Sequence, residues 1–257
     1  MTDYTGKNIG SHLPSYHKVK GNTLVWSCTH KPFNHPEYLG FLCRLRDQHR
    51  CVNFVCLGDE FDNHAISFHE KNPDGYSPGH ELDRARGEQI KYNKEFPNVD
   101  VCISNHAALF YRQGRALGLP SKIFKTMQEI TGTPKGWRWA PDWIYHYPET
   151  KQDILLTHLE GKSSGVNAAL TLSMAEGKSV VGGHFHTQCK VIHWANREKR
   201  FFASNTGWGG DIKQYAFQYS KRFKKRPILG ANVIKEEGYQ CEAYTMKMGK
   251  DKKRIYV

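Results

Sequence analysis

Six short apolar runs set the strongest limit on what this chain can fold into: "TLVWS" (23–27), "VNFVCLGD" (52–59), "VDVCISNH" (99–106), "DILLTH" (153–158), "SVVGGH" (179–184) and "RFFASNTG" (200–207). Their apolar character is continuous and rich in β-branched residues, which predicts strands buried on both faces. Helix-like segments lie between them. "PEYLGFLCRLRDQ" (36–48) places Tyr38, Leu42 and Leu45 at helical spacing, and "SPGHELDRARGEQIKYNKEF" (77–96) offers Leu82, Ile90 and Phe96 as core contacts. "GVNAALTLSMAEG" (165–177) is a short helix closed by Gly177. Strands alternating with helices, and then a strand-rich second half, predict an α/β fold of layered sheets. No repeat or low-complexity linker divides the chain. Residues 1–257 are expected to form a single domain, with a long aromatic insertion near 117–147 and a basic C-terminal tail.

Composition narrows the function classes. No window approaches the roughly 18 apolar residues of a membrane helix, and the polar opening "MTDYTGKNIGSHLPSYHKVKGN" lacks the apolar middle of a signal peptide. A cytoplasmic protein is expected. The 7 cysteines contain no C-x-x-C pair and mostly flank apolar runs, so they read as small buried hydrophobes rather than a disulfide framework or zinc ribbon. A net charge of +12 implies attraction to polyanions. The late cations Lys221, Arg222, Lys224, Lys225 and Arg226, then Lys250, Lys252, Lys253 and Arg254, read either as a solvated basic surface or as a site for a phosphate-rich partner such as nucleic acid.

The chemistry sits at the ends of the runs. They hand over to Cys28 and His30; to Asp59, Glu60 and Asp62; to Asn105 and His106; to His158; and to His184 and His186. A sheet holds several short loops facing one point, so strand ends are where metal ligands gather. One histidine after one strand means little; imidazole, carboxylate and amide groups at successive strand ends are hard to explain by packing. "EGKSSG" (160–165) is not a phosphate-binding P-loop, because the first glycine of that motif falls on Leu156.

The order of these residues resembles that of the calcineurin-like metallophosphoesterases, whose motifs run D-x-H, G-D-x-x-D, G-N-H-E/D, H and G-H-x-H. Here they stand as Cys28-Thr29-His30, Gly58-Asp59-Glu60-Phe61-Asp62, Ser104-Asn105-His106-Ala107, His158 and Gly183-His184-Phe185-His186. The wording around residues 27–42 and 58–75 also resembles members encoded by bacteriophages, which implies host cytoplasm as the setting. The resemblance implies a four-layer α/β/β/α sandwich with two mixed sheets. It implies two divalent or trivalent transition-metal ions, one held by Cys28, His30 and His186, the other by Asn105, His158 and His184, with Asp59 bridging. It gives His106 the role of general acid or transition-state stabiliser at the leaving oxygen, with Asp62 orienting that imidazole. Two cations about 3.5–4 Å apart can bind a phosphoryl oxygen while lowering the pKa of a shared water to give hydroxide near neutral pH. Nitrogen-rich ligation favours Zn, Fe, Mn or Co over Ca or Mg.

Four departures from that pattern stand out. Ser104 replaces glycine. Ala107 removes the acid after His106. Asn63 stands where phosphoprotein phosphatases place a phosphate-binding arginine, with Arg112 as a candidate substitute and His64 and His69 as further substrate contacts. Most consequential, Cys28 replaces the first aspartate. A thiolate can ligate metal, and neighbouring cations lower its pKa from about 8.5. Its softness biases the first site toward zinc or iron and away from manganese. The competing reading is a weakened first site. The expected function is metal-dependent hydrolysis of phosphodiesters, nucleotides or nucleic acid. The alternatives are a phosphomonoesterase acting on a phosphoprotein or small metabolite, and a nucleic-acid-binding protein with a weakened metal site.

Overall fold

The structure is a computed structural model that describes residues 14–69, 71–222, 224–248 and 255–256. Most of the anticipated basic tail, including Lys250, Lys252, Lys253 and Arg254, lies outside the described residues. The elements run β1 (Ser15–Lys18), β2 (Thr23–Trp26), α1 (Tyr38–Gln48), β3 (Asn53–Cys56), α2 (Pro78–Glu95), β4 (Val99–Cys102), α3 (Leu109–Ala116), α4 (Met127–Thr131), β5 (Trp137–Ala140) and β6 (Asp142–Tyr147). They continue with β7 (Gln152–Thr157), α5 (Ala168–Glu176), β8 (Ser179–Gly182), β9 (Cys189–Ala195), β10 (Arg200–Thr206), β11 (Gly230–Lys235) and β12 (Gln240–Thr245).

Two 6-stranded sheets result, in the orders β12-β11-β2-β3-β4-β5 and β1-β6-β7-β8-β10-β9. Both are mixed. β2, β3, β4 and β5 run parallel, whereas β11 is antiparallel to β2 and β12. In the second sheet β7, β8 and β10 run parallel, with β9 antiparallel at the edge. The continuous apolar runs are explained by this arrangement, because each sheet is covered on both faces. Val25, Val55, Leu57 and Cys102 of the first sheet and its loops meet Tyr145, Ile154, Leu156, Val181 and Phe202 of the second in one buried layer. On the far side of the first sheet, Phe41, Leu42 and Leu45 of α1 and Tyr92 of α2 pack on Leu24, Trp26, Val99 and Val101. On the far side of the second, Ala168 and Ala169 of α5 pack on Leu155, Val180 and Ala203. The architecture is therefore a four-layer α/β/β/α sandwich.

Two expectations read differently in the structure. The aromatic stretch near 117–147 supplies β5, the edge of one sheet, and β6, an interior strand of the other, so its tryptophans belong to both sheets. Trp137 donates from Nε1 to the Phe96 carbonyl at 2.8 Å, and Trp143 to the Val101 carbonyl at 3.0 Å. In α2 the buried face is Glu81, Ala85, Gln89 and Tyr92, and Ile90 points outward at 66% exposure. The helix turns this way because Tyr92 fills the core beneath β2 while Glu81 accepts the main-chain N–H groups of His64 and Ala65 at 2.7 and 2.8 Å.

Parallel strand order positions the site. Loops leaving β2, β3, β4, β7 and β8 emerge at the carboxyl ends of strands that point the same way within each sheet. Beyond β2 and β3 the parallel ladder continues into the loops. Cys28 N–H donates to the Gly58 carbonyl at 2.8 Å, His30 N–H to Asp59 at 2.8 Å, and Asp62 N–H to Lys31 at 2.9 Å. Gly183 N–H bonds to the Thr157 carbonyl at 3.1 Å, tying the His184 loop to the His158 loop in the same way.

Candidate metal centre

Three groups of potential ligand atoms converge at these loops; two of them share Asp59, and the third, His30, Asp62 and His106, overlaps the first at His30. Cys28, His30, Asp59 and His186 present ligand atoms that all lie within 4.8 Å of one another, and so do Asp59, His158 and His184. Asp59 Oδ2 is 3.9 Å from Cys28 Sγ, 3.9 Å from His30 Nε2 and 3.2 Å from His158 Nε2. His30 Nε2 and His186 Nε2 stand 3.2 Å apart, and Asn105 Oδ1 is 3.0 Å from His158 Nε2. All seven residues predicted as ligands are thus brought together. Cys28, His30, Asp59 and His158 are buried, whereas Asn105, His184 and His186 are half-buried.

The backbone is bent to present them. Cys28, His30, Asp59 and His184 all adopt positive φ, between 52° and 70°. Side-chain-bearing residues held in this left-handed region cost on the order of 1 kcal/mol each and collect at functional sites. Gly58, at φ 98°, is required for a further reason: a Cβ there would lie 2.6 Å from Ser104 Cβ and 3.0 Å from His158 Nδ1. Only glycine lets the β3 loop approach the other two so closely.

Electrostatics divide the donors: burial opposes the charged form of His158, but Asp59 outweighs it and holds that ring above its ordinary value, whereas His184 and His186 are held low. Burial pushes His184 down to about 4, helped by the neighbouring His158, and burial, with His30 beside it, holds His186 well below the ordinary imidazole value. Both rings are therefore neutral near pH 7, with lone pairs to donate. Burial opposes ionisation of Asp59, but His158 and His106 outweigh it and keep the carboxyl ionised well below the usual range. Cys28 goes the other way: burial, reinforced by the Asp59 charge, pushes the thiol well above its ordinary value. The protein alone leaves Cys28 protonated, so its ligation depends on a cation to displace the proton.

Asp62, expected to orient His106, contacts that ring through its main chain and contacts a second histidine through its side chain. Its Oδ2 accepts from His30 Nδ1 at 2.9 Å, while its main-chain carbonyl accepts from His106 Nδ1. Asn63, at φ 59°, donates from Nδ2 to the His106 carbonyl at 2.9 Å, giving the support that Ala107 cannot. Burial disfavours the charged form of His106, and Asp59 followed by Asp62 outweighs it, holding the ring above its ordinary value.

The outer predicted contacts are less central. Arg112 is exposed, with its guanidinium 5.0 Å from the Phe68 ring centroid. His64 is half-buried and accepts at Nε2 from the Asn72 N–H at 3.2 Å; His69 is exposed. Ser104, which replaces the motif glycine, accepts at Oγ from Asp59 N–H at 2.9 Å and Ala107 N–H at 3.3 Å. A hydroxyl beside an expected ligand is the available signal. Lys31, fully buried, also escapes a reading of the sequence; its Nζ lies 3.1 Å from Thr29 Oγ1 and 3.9 Å from the Tyr92 ring centroid.

No protein-family model matches the chain, and no curated protein matches it in sequence. Among solved structures, Vps29 from Chaetomium thermophilum is similar at 10% identity and TM-score 0.47, covering 90% of each chain. Vacuolar protein sorting 29 from Cryptosporidium parvum is similar at 13% identity and TM-score 0.47, covering 92% of this chain and 95% of the other. Yfce, a phosphoesterase from E. coli, is similar at 15% identity and TM-score 0.38, with coverages of 84% and 88%. Among the described residues, no helix is long and apolar enough to cross a membrane.

Proposed function

We propose that this chain is a metal-dependent phosphoesterase acting on phosphodiesters, nucleotides or nucleic acid. The observation that carries the reading is Asp59, the one carboxylate common to two convergent ligand groups. The donor set fits two transition-metal ions: imidazole nitrogens predominate, two of them held neutral by their surroundings, and a carboxylate sits where it can serve both groups. Cys28, His30 and His186 would hold one ion, and Asn105, His158 and His184 the other. Such a pair supplies Lewis acidity toward a phosphoryl oxygen and a water of lowered pKa.

The chain's own residues do the rest. With Asp59 and Cys28 as the anionic donors among imidazole and amide ligands, a site holding two divalent ions would be net positive, which suits an anionic phosphoester. His106 gives Nδ1 to the Asp62 carbonyl, so Nε2 is the nitrogen available to protonate the leaving oxygen. Asp62 fixes the ring of His30 through Nδ1, leaving Nε2 to face the cluster. Attack by water at phosphorus without a phosphoenzyme is the expected course. With Cys28 as ligand, zinc or iron is favoured over manganese.

A second reading, a nucleic-acid-binding protein with a weakened metal site, draws on the buried, proton-retaining Cys28 thiol. One experiment separates the readings. The purified protein, supplied in turn with Zn, Fe and Mn, is assayed on bis-p-nitrophenyl phosphate and p-nitrophenyl phosphate, alongside Cys28→Asp. Turnover of the diester by the parent protein supports the phosphoesterase. Preference for the monoester moves the assignment to a phosphomonoesterase, and turnover only after Cys28→Asp favours the weakened site.

A further inference from the structure

Beside the metal cluster the chain builds a row of rings that neither ligand holding nor proton transfer uses. His30 meets Phe217 edge-on at 5.4 Å between centroids, and Phe33 meets Tyr215 at 5.0 Å. Tyr215 in turn contacts His64 at 5.5 Å and Tyr76 at 5.7 Å. The row thus leads outward from a proposed ligand to the half-buried Tyr76 and Tyr215. Phe68, on the same loop as His64, is 53% exposed. Two of these outer rings carry a guanidinium: Arg84 lies 5.2 Å from the Tyr76 centroid and Arg112 5.0 Å from that of Phe68. Their supports are built in. Tyr76 N–H donates to Tyr215 Oη at 2.9 Å, Glu81 holds the N–H groups of His64 and Ala65, and Gln113 Nε2 donates to the Ile66 carbonyl at 2.6 Å.

We propose that this rim binds single-stranded nucleic acid by stacking an unpaired base on Phe68, with Arg112 at the adjoining phosphate, on the loop that follows Asp62 and His64. The proposal rests on the phosphoesterase reading and names its substrate. Phe68, 53% exposed with a guanidinium 5.0 Å from its centroid, matches a base attached to a phosphate, whereas Tyr76 is already flanked by Phe33 and Arg84. Duplex bases have no free face to offer, and an acidic peptide would engage the arginines while leaving the rings unused. A net charge of +12 on the whole chain supplies the long-range attraction such a strand needs.

The test is equilibrium binding, followed by fluorescence anisotropy, of the full-length protein to a phosphorothioate oligo-dT that resists cleavage. An abasic strand of equal length, the matching duplex and poly-glutamate serve as comparisons. The expected result is that oligo-dT binds about tenfold or more tightly than the abasic strand and the duplex. Phe68→Leu should weaken oligo-dT about tenfold with its salt dependence unchanged, while Arg112→Gln should flatten the salt slope by about one. Because Phe68 is exposed, an unchanged melting temperature confirms that the variant is folded. Equal binding of abasic and base-bearing strands, a Phe68→Leu protein that binds like the parent, or poly-glutamate competing as well as oligo-dT would each overturn the proposal. Diester hydrolysis is read separately: its absence with stacking intact counts against the phosphoesterase alone, and its presence without stacking counts against this rim alone.

Discussion

Asp62 holds two histidines at once, His30 through its carboxylate at 2.9 Å and His106 through its main-chain carbonyl. The two holds respond differently to mutation. Asp62→Asn keeps an oxygen for His30 but removes its charge, so metal affinity should fall about 10–100-fold, as when a partner behind a ligating histidine is altered. The main-chain hold on His106 survives, so turnover at saturating metal should stay within a few-fold of the parent protein. Metal titration followed by the pH–rate profile at saturation checks this. Normal affinity with a collapsed profile would return the carboxylate to His106.

Ser104 is the support of the shared ligand. Ser104→Ala leaves the buried N–H of Asp59 without its 2.9 Å acceptor, a loss of about 1–2 kcal/mol. Denaturant unfolding should show that decrease, and metal binding should weaken at both ligand groups together because Asp59 serves both. Weakening confined to one group would show that Asp59 is not shared.

Cys28 sets metal preference. Replacing a soft thiolate by a hard carboxylate in Cys28→Asp should raise activity with Mn relative to activity with Zn. Comparing the two rates in parent and variant gives the answer directly. An unchanged ratio would mean that the thiol does not contact the metal.

Glu81 gives the fold a pH dependence away from the ligands. Burial, partly offset by the N–H of Ala65, raises its carboxyl to about 7, above the usual 4.5. The folded state therefore holds a proton that the unfolded chain releases. That contribution is complete below about 4.5 and is lost as pH rises through about 7. Urea midpoints between these limits should fall with rising pH more steeply in the parent protein than in Glu81→Gln, which has no proton to lose.

Much of this arrangement is legible in the chain because strand and site coincide: each of five apolar runs ends where a ligand-type residue begins. β2, β3, β4, β7 and β8 are continuous hydrophobic segments, since both faces of each sheet are covered. β9 is not, because as an edge strand it is only partly covered along its length. β5 and β6 are obscured by the polar and charged residues between their tryptophans, such as Arg138, which pairs with the buried Asp100 at 2.8 Å. The ligands are legible as residue types in loops. The double role of Asp62 and the support from Ser104 are not, because they depend on which atom, side-chain or main-chain, faces a neighbour across the loop. Residue identity does not encode that choice.

The central claim is that two metal groups share Asp59 and that Cys28 belongs to the first. The most direct measurement is metal content per chain by elemental analysis of the zinc-loaded protein, in parent and in Cys28→Ser. The account predicts about two metals per chain in the parent and about one in the variant, as a dinuclear site losing one ligand set requires. One metal or none in the parent, or two in both proteins, would contradict it.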